Sequence, residues 1–329
     1  MAVKISVLRS TAIACVVALG YALTGANALA QNYPTKPIRL IVPFAPGGGT
    51  DITARAVAQK LTESWGQTVV TDNRPGANGT IGVDIAAKSA PDGYTITMIS
   101  SSHSVNVGLY AKLPYDLLKD LTPVTQATSQ PYAFVIHPSI PAKSVKEFIA
   151  YGKTKPGGIN YGSSGTGGIA HLGGAWLGSI AGIEMVHIPY KGGAPATLDL
   201  IGGRTQMQFG TFLLTGPHIK SGKLRVLAVT TPKRWPGTPD LPTMQEAGVP
   251  GFAITQWYGM IAPAKTPPAI INKLSQEISR LLHLPDVKDK LAADGADAVG
   301  STPGEFGAHI KAEVVKYAKL VKQVGLKAE

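Results

Sequence analysis

Residues 38–61 read IRLIVPFAPGGGTDITARAVAQKL: an apolar β-branched run, three consecutive glycines, then an amphipathic stretch. The run has strand character and the last part helix character, so Gly47, Gly48 and Gly49 fall where a strand ends and a helix begins. Glycines there let main-chain N–H groups come close to a guest, and a helix N-terminus carries a partial positive charge. The stretch reads as an anion cradle, with Thr50 or Asp51 placed to cap the helix. It lacks the Gly-Lys-Ser/Thr ending of a nucleotide loop, so no lysine is positioned to reach a phosphate.

Outward from this point the chain alternates. QTVVTDNR (67–74) and GYTITMIS (93–100) read as strands around a helix in GTIGVDIAAKSA (79–90), giving a βαβαβ start and hence a parallel sheet. A second block opens near Pro131: strand YAFVIHP, helix SVKEFIAYGKTK, short strand GINYGSS, helix GGIAHLGGAWLGSIAG and strand MVHIPYK. A helix ATLDLIGG and strands TQMQFG and KLRVLAVTT complete it. From about Thr255, QWYGMIAPA, a helix PAIINKLSQEISRLL, turns around Leu284 to Val287 and a last helix from Glu305 to Val324 return to the first block, whose three strands still lack partners. The expected architecture is α/β and two-lobed, each lobe a mostly parallel sheet flanked by helices, with residues 31–130 plus 255–329 as lobe 1 and 131–254 as lobe 2.

Residues 1–30 combine Lys4 and Arg9, an apolar stretch from Thr11 to Gly25 and Ala28-Leu29-Ala30, the pattern of a cleaved secretory signal. No later run approaches the ~20 apolar residues of a spanning helix. Without residues 1–30 the chain keeps 29 basic against 20 acidic residues and loses Cys15, its one cysteine. The excess positive charge favours anionic partners, but no Lys/Arg-rich block interleaves with aromatics, so nucleic acid is not expected. No two histidines stand at metal-binding i, i+4 spacing, and no Gly-x-Ser-x-Gly elbow is present.

NYGSSGTGGIAHL (160–172) holds a second glycine and hydroxyl cluster between a strand and a helix. Gly165, Gly167 and Ala170 match the looser dinucleotide fingerprint with Glu184 about twenty residues on, so an exported oxidoreductase using NAD is one alternative. Glu184 precedes the next strand, however, whereas a ribose-binding acid belongs at its far end. SSSHSVNVGLYAKLPYD (100–116), read as a polar loop after the third strand, emerges on the same sheet edge as the glycines and offers Ser102 and Asn106. HIPYKGGAPA (187–196) does the same for the second block.

YPTKPIRLIVPFAPGGGTDITAR, DNRPGANGTIGVDIAAKSAPDGYT, LPYDLLKDLTPV, NYGSSGTGGIAHL, VHIPYKGGAPATLDLIGG, SGKLRVLAVTTPKR and LPTMQEAGVPGF, in this order, resemble the TctC/Bug family of periplasmic solute-binding proteins, which serve tripartite tricarboxylate transporters. The resemblance spans the chain beyond residue 30. It implies a hinged, two-lobed, monomeric periplasmic binding protein, without catalytic activity or cofactor, that closes over a small organic carboxylate and delivers it to a large and a small membrane subunit. A carboxylate-sensing protein feeding a signalling receptor is a further alternative. The family's two loops map onto Phe44 to Asp51 and onto Ser163 to Thr166 with Gly167 and His171. Asn106-Val107 stands where the family often has Asn-Pro. The expected ligand contacts are Phe44, Gly48, Gly49, Asp51, Ser102, Asn106, Ser163, Ser164, Thr166 and Gly167, with Tyr190, Gln208 and Thr211 at the pocket's far end. Trp257 and Tyr258 are read as hinge or core residues.

Overall fold

The computed structural model describes residues 32–293 and 295–327, so the secretory signal expected in residues 1–30 lies outside the described residues. Strand β1 (Ile38–Val42) runs parallel to β2 (Val69–Asn73) and β3 (Thr95–Ser100), with helix α1 (Gly49–Trp65) following β1 and α2 (Thr80–Ala87) following β2. A mixed sheet continues in the order β2-β1-β3-β9-β4-β7-β5-β6. It pivots on two long strands, β4 (Leu121–Ile136) and β9 (Thr255–Pro263). β4 pairs antiparallel with β9 from Leu121 to Pro131, then with β7 (Met207–Thr211) and β8 (Arg225–Val229) from Tyr132 onward. One strand thus serves both halves of the two-lobed fold. Beyond it lie β5 (Ile159–Ser163) and β6 (Met185–Pro189), again parallel.

β4 begins eleven residues earlier than the strand character of Tyr132–Pro138 suggests, because Pro123 and Pro131 disguise it. Pro123 sits at a register shift against β9, where a missing N–H costs no ladder bond. The segment after β3 is not a polar loop but helix α3 (Ser101–Leu109), six of whose first residues are buried. Gly108 explains the burial: a Cβ there would stand 2.7 Å from the Cα of Ala318, so only glycine lets α3 approach the last helix so closely.

That helix, α10 (Pro303–Val324), starts with a capping box in which Thr302 Oγ1 accepts from the Glu305 amide and Glu305 Oε2 from the Thr302 amide. Between β4 and β8 stand α4 (Val145–Lys153), α5 (Ile169–Ala181), α6 (Gly193–Ile201) and α7 (Phe212–Lys220). Helix α8 (Pro268–Leu282) buries Ile270, Ile271, Leu274, Ile278 and Leu281, the stripe of a 3.6-residue period, against β4 and α1. The turns expected around Leu284 to Val287 are instead the start of α9 (Pro285–Ala293), with Pro285 in its first turn, where a missing N–H is harmless. A short β10 (Asp297–Ala298) pairs with β4.

The largest apolar cluster joins Phe134, Phe148 and Phe209 of one half to Val105, Tyr317 and Leu320 on α3 and α10. The halves therefore share core as well as strands.

Candidate functional site

The glycine loop after β1 is shaped by Asp51. Gly47 adopts φ +78°, a left-handed conformation that glycine alone takes without strain, and its N–H donates to Asp51 Oδ2 at 2.9 Å. Arg55 Nε donates to the same oxygen at 2.9 Å, and Asn73 Nδ2 reaches Oδ1 at 2.9 Å and the Phe44 carbonyl at 3.0 Å. Burial alone would raise the Asp51 carboxyl, but the hydrogen bonds from Arg55, Gly47 and Asn73 outweigh it and hold the group below its ordinary value. Asp51 is thus occupied behind the loop as a brace. No side chain caps α1 at Gly48, and Gly48, Gly49 and Thr50 form wall.

The second loop, between β5 and α5, is held by histidines. Ser163 Oγ accepts from the Gly165 amide at 3.2 Å and lies 2.7 Å from His187 Nε2, while the Gly167 amide donates to His171 Nδ1 at 3.0 Å. The two imidazoles stack with centroids 3.6 Å apart and planes 6° from parallel. Burial lowers the pKa of His171 to about 4; burial and the neighbouring His171 lower that of His187 to about 3. Both rings are neutral at pH 7. Ser163 and Gly167 support the loop and Ser164 is its half-buried tip, lining a cavity on either side.

The inner cavity lies between the sheet halves. Of the expected contacts it brings together Phe44, Gly48, Gly49, Ser102, Ser164, Gln208 and Thr211. An outer cavity shares Phe44 and Ser164 and adds Thr166, Tyr190 and Lys191. Tyr190 is turned to Asp199, its hydroxyl 2.7 Å from Oδ2. Asn106 lines neither cavity: its Oδ1 accepts from Asn78 Nδ2 at 2.7 Å and its Nδ2 donates to the Asn78 carbonyl at 3.1 Å. It pins a turn in which Ala77 and Asn78 both have positive φ. α3 runs through Val107, where a proline would remove the main-chain N–H and strain the preceding turn.

Sequence reasoning missed several residues of the inner wall, among them Tyr132, Phe209, Leu214 and Gln256. Tyr258 also faces the cavity, whereas its neighbour Trp257 turns to the core, stacking edge-on against Phe306 and donating from Nε1 to Glu313 Oε2. Alternation along β9 sends the two to opposite faces, which only the strand's position in the sheet decides.

The chemistry of the inner wall is uniform. No charged side chain lines it among the described residues; burial raises Tyr132 well above the ordinary phenol value and Tyr258 to about 12, so both are neutral. Its positive field comes from the main chain. α1, α5, α6 and α7 all open at this cavity; no N-cap side chain covers any of them, although on α5 the Ile169 amide is held by Ser102 Oγ. Each leaves amide donors and the positive end of its dipole at the wall. Thr211, at the start of α7, is 4% exposed, and its Oγ1 has no partner.

The halves also touch each other. The Ala45 amide donates to the Lys191 carbonyl at 3.0 Å, the Ile169 amide to Ser102 Oγ at 3.2 Å and the Tyr110 hydroxyl to the Thr166 carbonyl at 3.3 Å. Among the described residues no three His, Cys, Asp or Glu side chains gather as metal ligands. A dinucleotide does not suit the β5 loop either: in the parallel register Ser163 lies beside Pro189, whereas Glu184 precedes Met185 at the opposite end of the strand pair. A ribose-binding acid would be needed at the Pro189 end.

Known proteins give a consistent setting. Residues 53–326 match the family described as tripartite tricarboxylate transporter family receptor. Protein BugT of Bordetella pertussis is 39% identical over 300 residues, 91% of this chain and 92% of that protein. The solved structure of R. palustris Rpa4515 with adipate superposes with a TM-score of 0.87 at 36% identity, covering 90% of this chain and 99% of that one. The periplasmic binding protein BugD superposes with a TM-score of 0.86 at 34% identity, covering 90% of this chain and 100% of that one. Fold and family match agree: the chain belongs to the tripartite tricarboxylate transporter receptor family, the TctC/Bug solute-binding proteins.

Proposed function

We propose that this protein binds a small organic carboxylate between its lobes, leaves it chemically unchanged and delivers it to the large and small membrane subunits of a tripartite tricarboxylate transporter. Residues 1–30 direct export and are removed, and the mature protein acts in the periplasm as a monomer. Lobe 1 comprises 31–130 plus 255–329 and lobe 2 comprises 131–254, a division supported by the switch in β4 pairing at Pro131 and the return of the chain at Thr255. The observation that carries the proposal is the inner cavity itself: four helix N-termini open onto it and, among the described residues, no charged side chain lines it. An adipate ligand in the neighbour Rpa4515 supports the carboxylate class.

Gly48, Gly49, Ser102 and Ser164 hold the anionic end, with Phe44 over it; Gln208 and Thr211 meet the remainder. Asp51, Asn106, Ser163 and Gly167 act by fixing the two loops, and Thr166 and Tyr190 line the approach. Each N-terminus contributes about 0.3–1 kcal/mol to an anion at an exposed site, and up to ~2 when partly buried. A hydrogen bond to a charged group adds about 1.5–3 kcal/mol. A few such terms, less desolvation and closure, reach the roughly −8 kcal/mol of micromolar binding. Because the ligand touches both lobes only when they are shut, it favours the closed form, which the membrane partner reads. Calorimetric titration with mono-, di- and tricarboxylates tests this: saturable micromolar binding of at least one is expected, with no response to NAD. Binding of none of them, or a shift with NAD, contradicts it.

A further inference from the structure

Away from the two cavities, we infer that the outer face of α10 docks on an anionic lipid bilayer. Phe306, Ile310, Tyr317, Leu320 and Val321 turn into the protein, which fixes the opposite face of the helix outward. On that face stand Lys311, Lys319 and Lys322, with Ala308 and Val315 among them. At about 100° per residue the three lysines fall within an arc of about 80°, along about 16 Å of helix. All three are exposed, and none has an ion-pair or hydrogen-bond partner among the described residues. The arc holds no acid. Glu305 is engaged in the capping box, and the buried Glu313 accepts from Trp257 Nε1 and Lys316 Nζ. Val315, inside the arc, is 59% exposed.

The make-up of this face selects the partner. Protein interfaces draw most of their energy from buried aromatic and arginine anchors, and the arc offers neither. Lysines are point charges on flexible stems, suited to the diffuse field of anionic headgroups rather than to bidentate pairing. An exposed valine flanked by lysines fits the same surface, where apolar side chains sink between headgroups. Complementing the helix dipole accounts for Lys322 alone, since that effect is confined to the last turn. No residue of α10 lines either cavity, so a bilayer on this face leaves the ligand site free. A protein held there searches for membrane subunits in two dimensions.

Each lysine at an anionic surface raises partitioning about fivefold, so three compound to about a hundredfold. The test is co-sedimentation of the purified protein with vesicles of phosphatidylglycerol and phosphatidylcholine in equal parts, and with pure phosphatidylcholine. At about 20 mM salt, binding to the anionic vesicles and not to the neutral ones is expected, and about 0.5 M salt abolishes it. The variant Lys311→Gln/Lys319→Gln/Lys322→Gln is expected to bind at least about tenfold more weakly, with melting curve and carboxylate affinity unchanged. Lys220→Gln/Lys223→Gln/Lys233→Gln removes the same charge from exposed lysines beside α7 and β8, and is expected to lose less than about threefold. No binding to anionic vesicles, or equal loss in both variants, overturns the inference and leaves the carboxylate reading untouched. Retention of the wild type but not of the α10 variant on immobilised polyglutamate, without vesicle binding, also overturns it and gives the face to an acidic protein.

Discussion

Gly49→Ala tests how tightly the cavity wall is drawn. A Cβ on Gly49 would stand closer than 3.0 Å to the Tyr258 hydroxyl oxygen, 3.2 Å from its Cζ and 3.5 Å from Thr211 Oγ1. Tyr258 is 2% exposed and packed in an apolar cluster with β1, β3 and β4, so its ring has nowhere to go. The start of α1 must retreat from the cavity instead. Overpacking of this kind costs about 1–3 kcal/mol, against a gain of about 0.4–1 kcal/mol from stiffening the unfolded chain. Retreat also pulls the α1 amides off a bound anion, at about 1.5–3 kcal/mol for each bond lost. We therefore expect a melting temperature a few degrees lower and a ligand affinity about 10- to 100-fold weaker. Gly48→Ala is the control. Its Cβ would meet nothing nearer than the Ala45 carbonyl oxygen at 3.5 Å and the Gly193 amide at 3.8 Å. The cost of alanine at the N-cap, about 0.5–1 kcal/mol, roughly offsets its unfolded-state gain. Calorimetry and thermal melting of both variants would refute this reasoning if Gly49→Ala bound like the wild type, or if Gly48→Ala lost as much.

Four further outcomes follow from the residues around the cavity. His171, His187 and His103 all have folded pKa values below the ordinary imidazole value, at about 4, about 3 and about 4 respectively, so the unfolded chain takes up protons first as pH falls below about 6.5. Stability should therefore be full above pH 7 and decline toward pH 4; His187→Gln should flatten the upper part of that decline, and a melting temperature that rises on acidification would contradict the assignment. Ser164→Ala, which removes a hydroxyl facing both cavities, should weaken binding by about tenfold. Thr166→Ala should change it less than threefold, since Thr166 meets Tyr110 through its carbonyl, which the variant keeps. Asp51→Asn turns one acceptor oxygen into a donor facing donors from Gly47, Arg55 or Asn73, so denaturant melts should show a loss of about 1–3 kcal/mol and titrations a weaker ligand.

The glycine loops were legible because strand, glycine and helix signals follow one another within a few residues, and a parallel sheet puts such loops on one edge. The parts that escaped depend on partners far away in sequence. Gln256 and Tyr132 look like ordinary strand residues until β4 and β9 bring them under the cavity. α3 is rich in serine and reads as loop, yet Gly108 fits it against Ala318 of α10, more than two hundred residues on. The His171–His187 stack joins a helix to a strand and has no local pattern. Asp51 stood beside the right glycines, but its role as a brace depends on Arg55 and Asn73 converging on it.

A crystal structure of the protein with a carboxylate bound at micromolar affinity tests the central claim most directly. The account predicts carboxylate oxygens about 2.7–3.1 Å from main-chain amides at the starts of α1 and α5, with the lobes shut and no lysine or arginine in contact. A carboxylate held instead by Lys191 or another cation outside the inner cavity would contradict it.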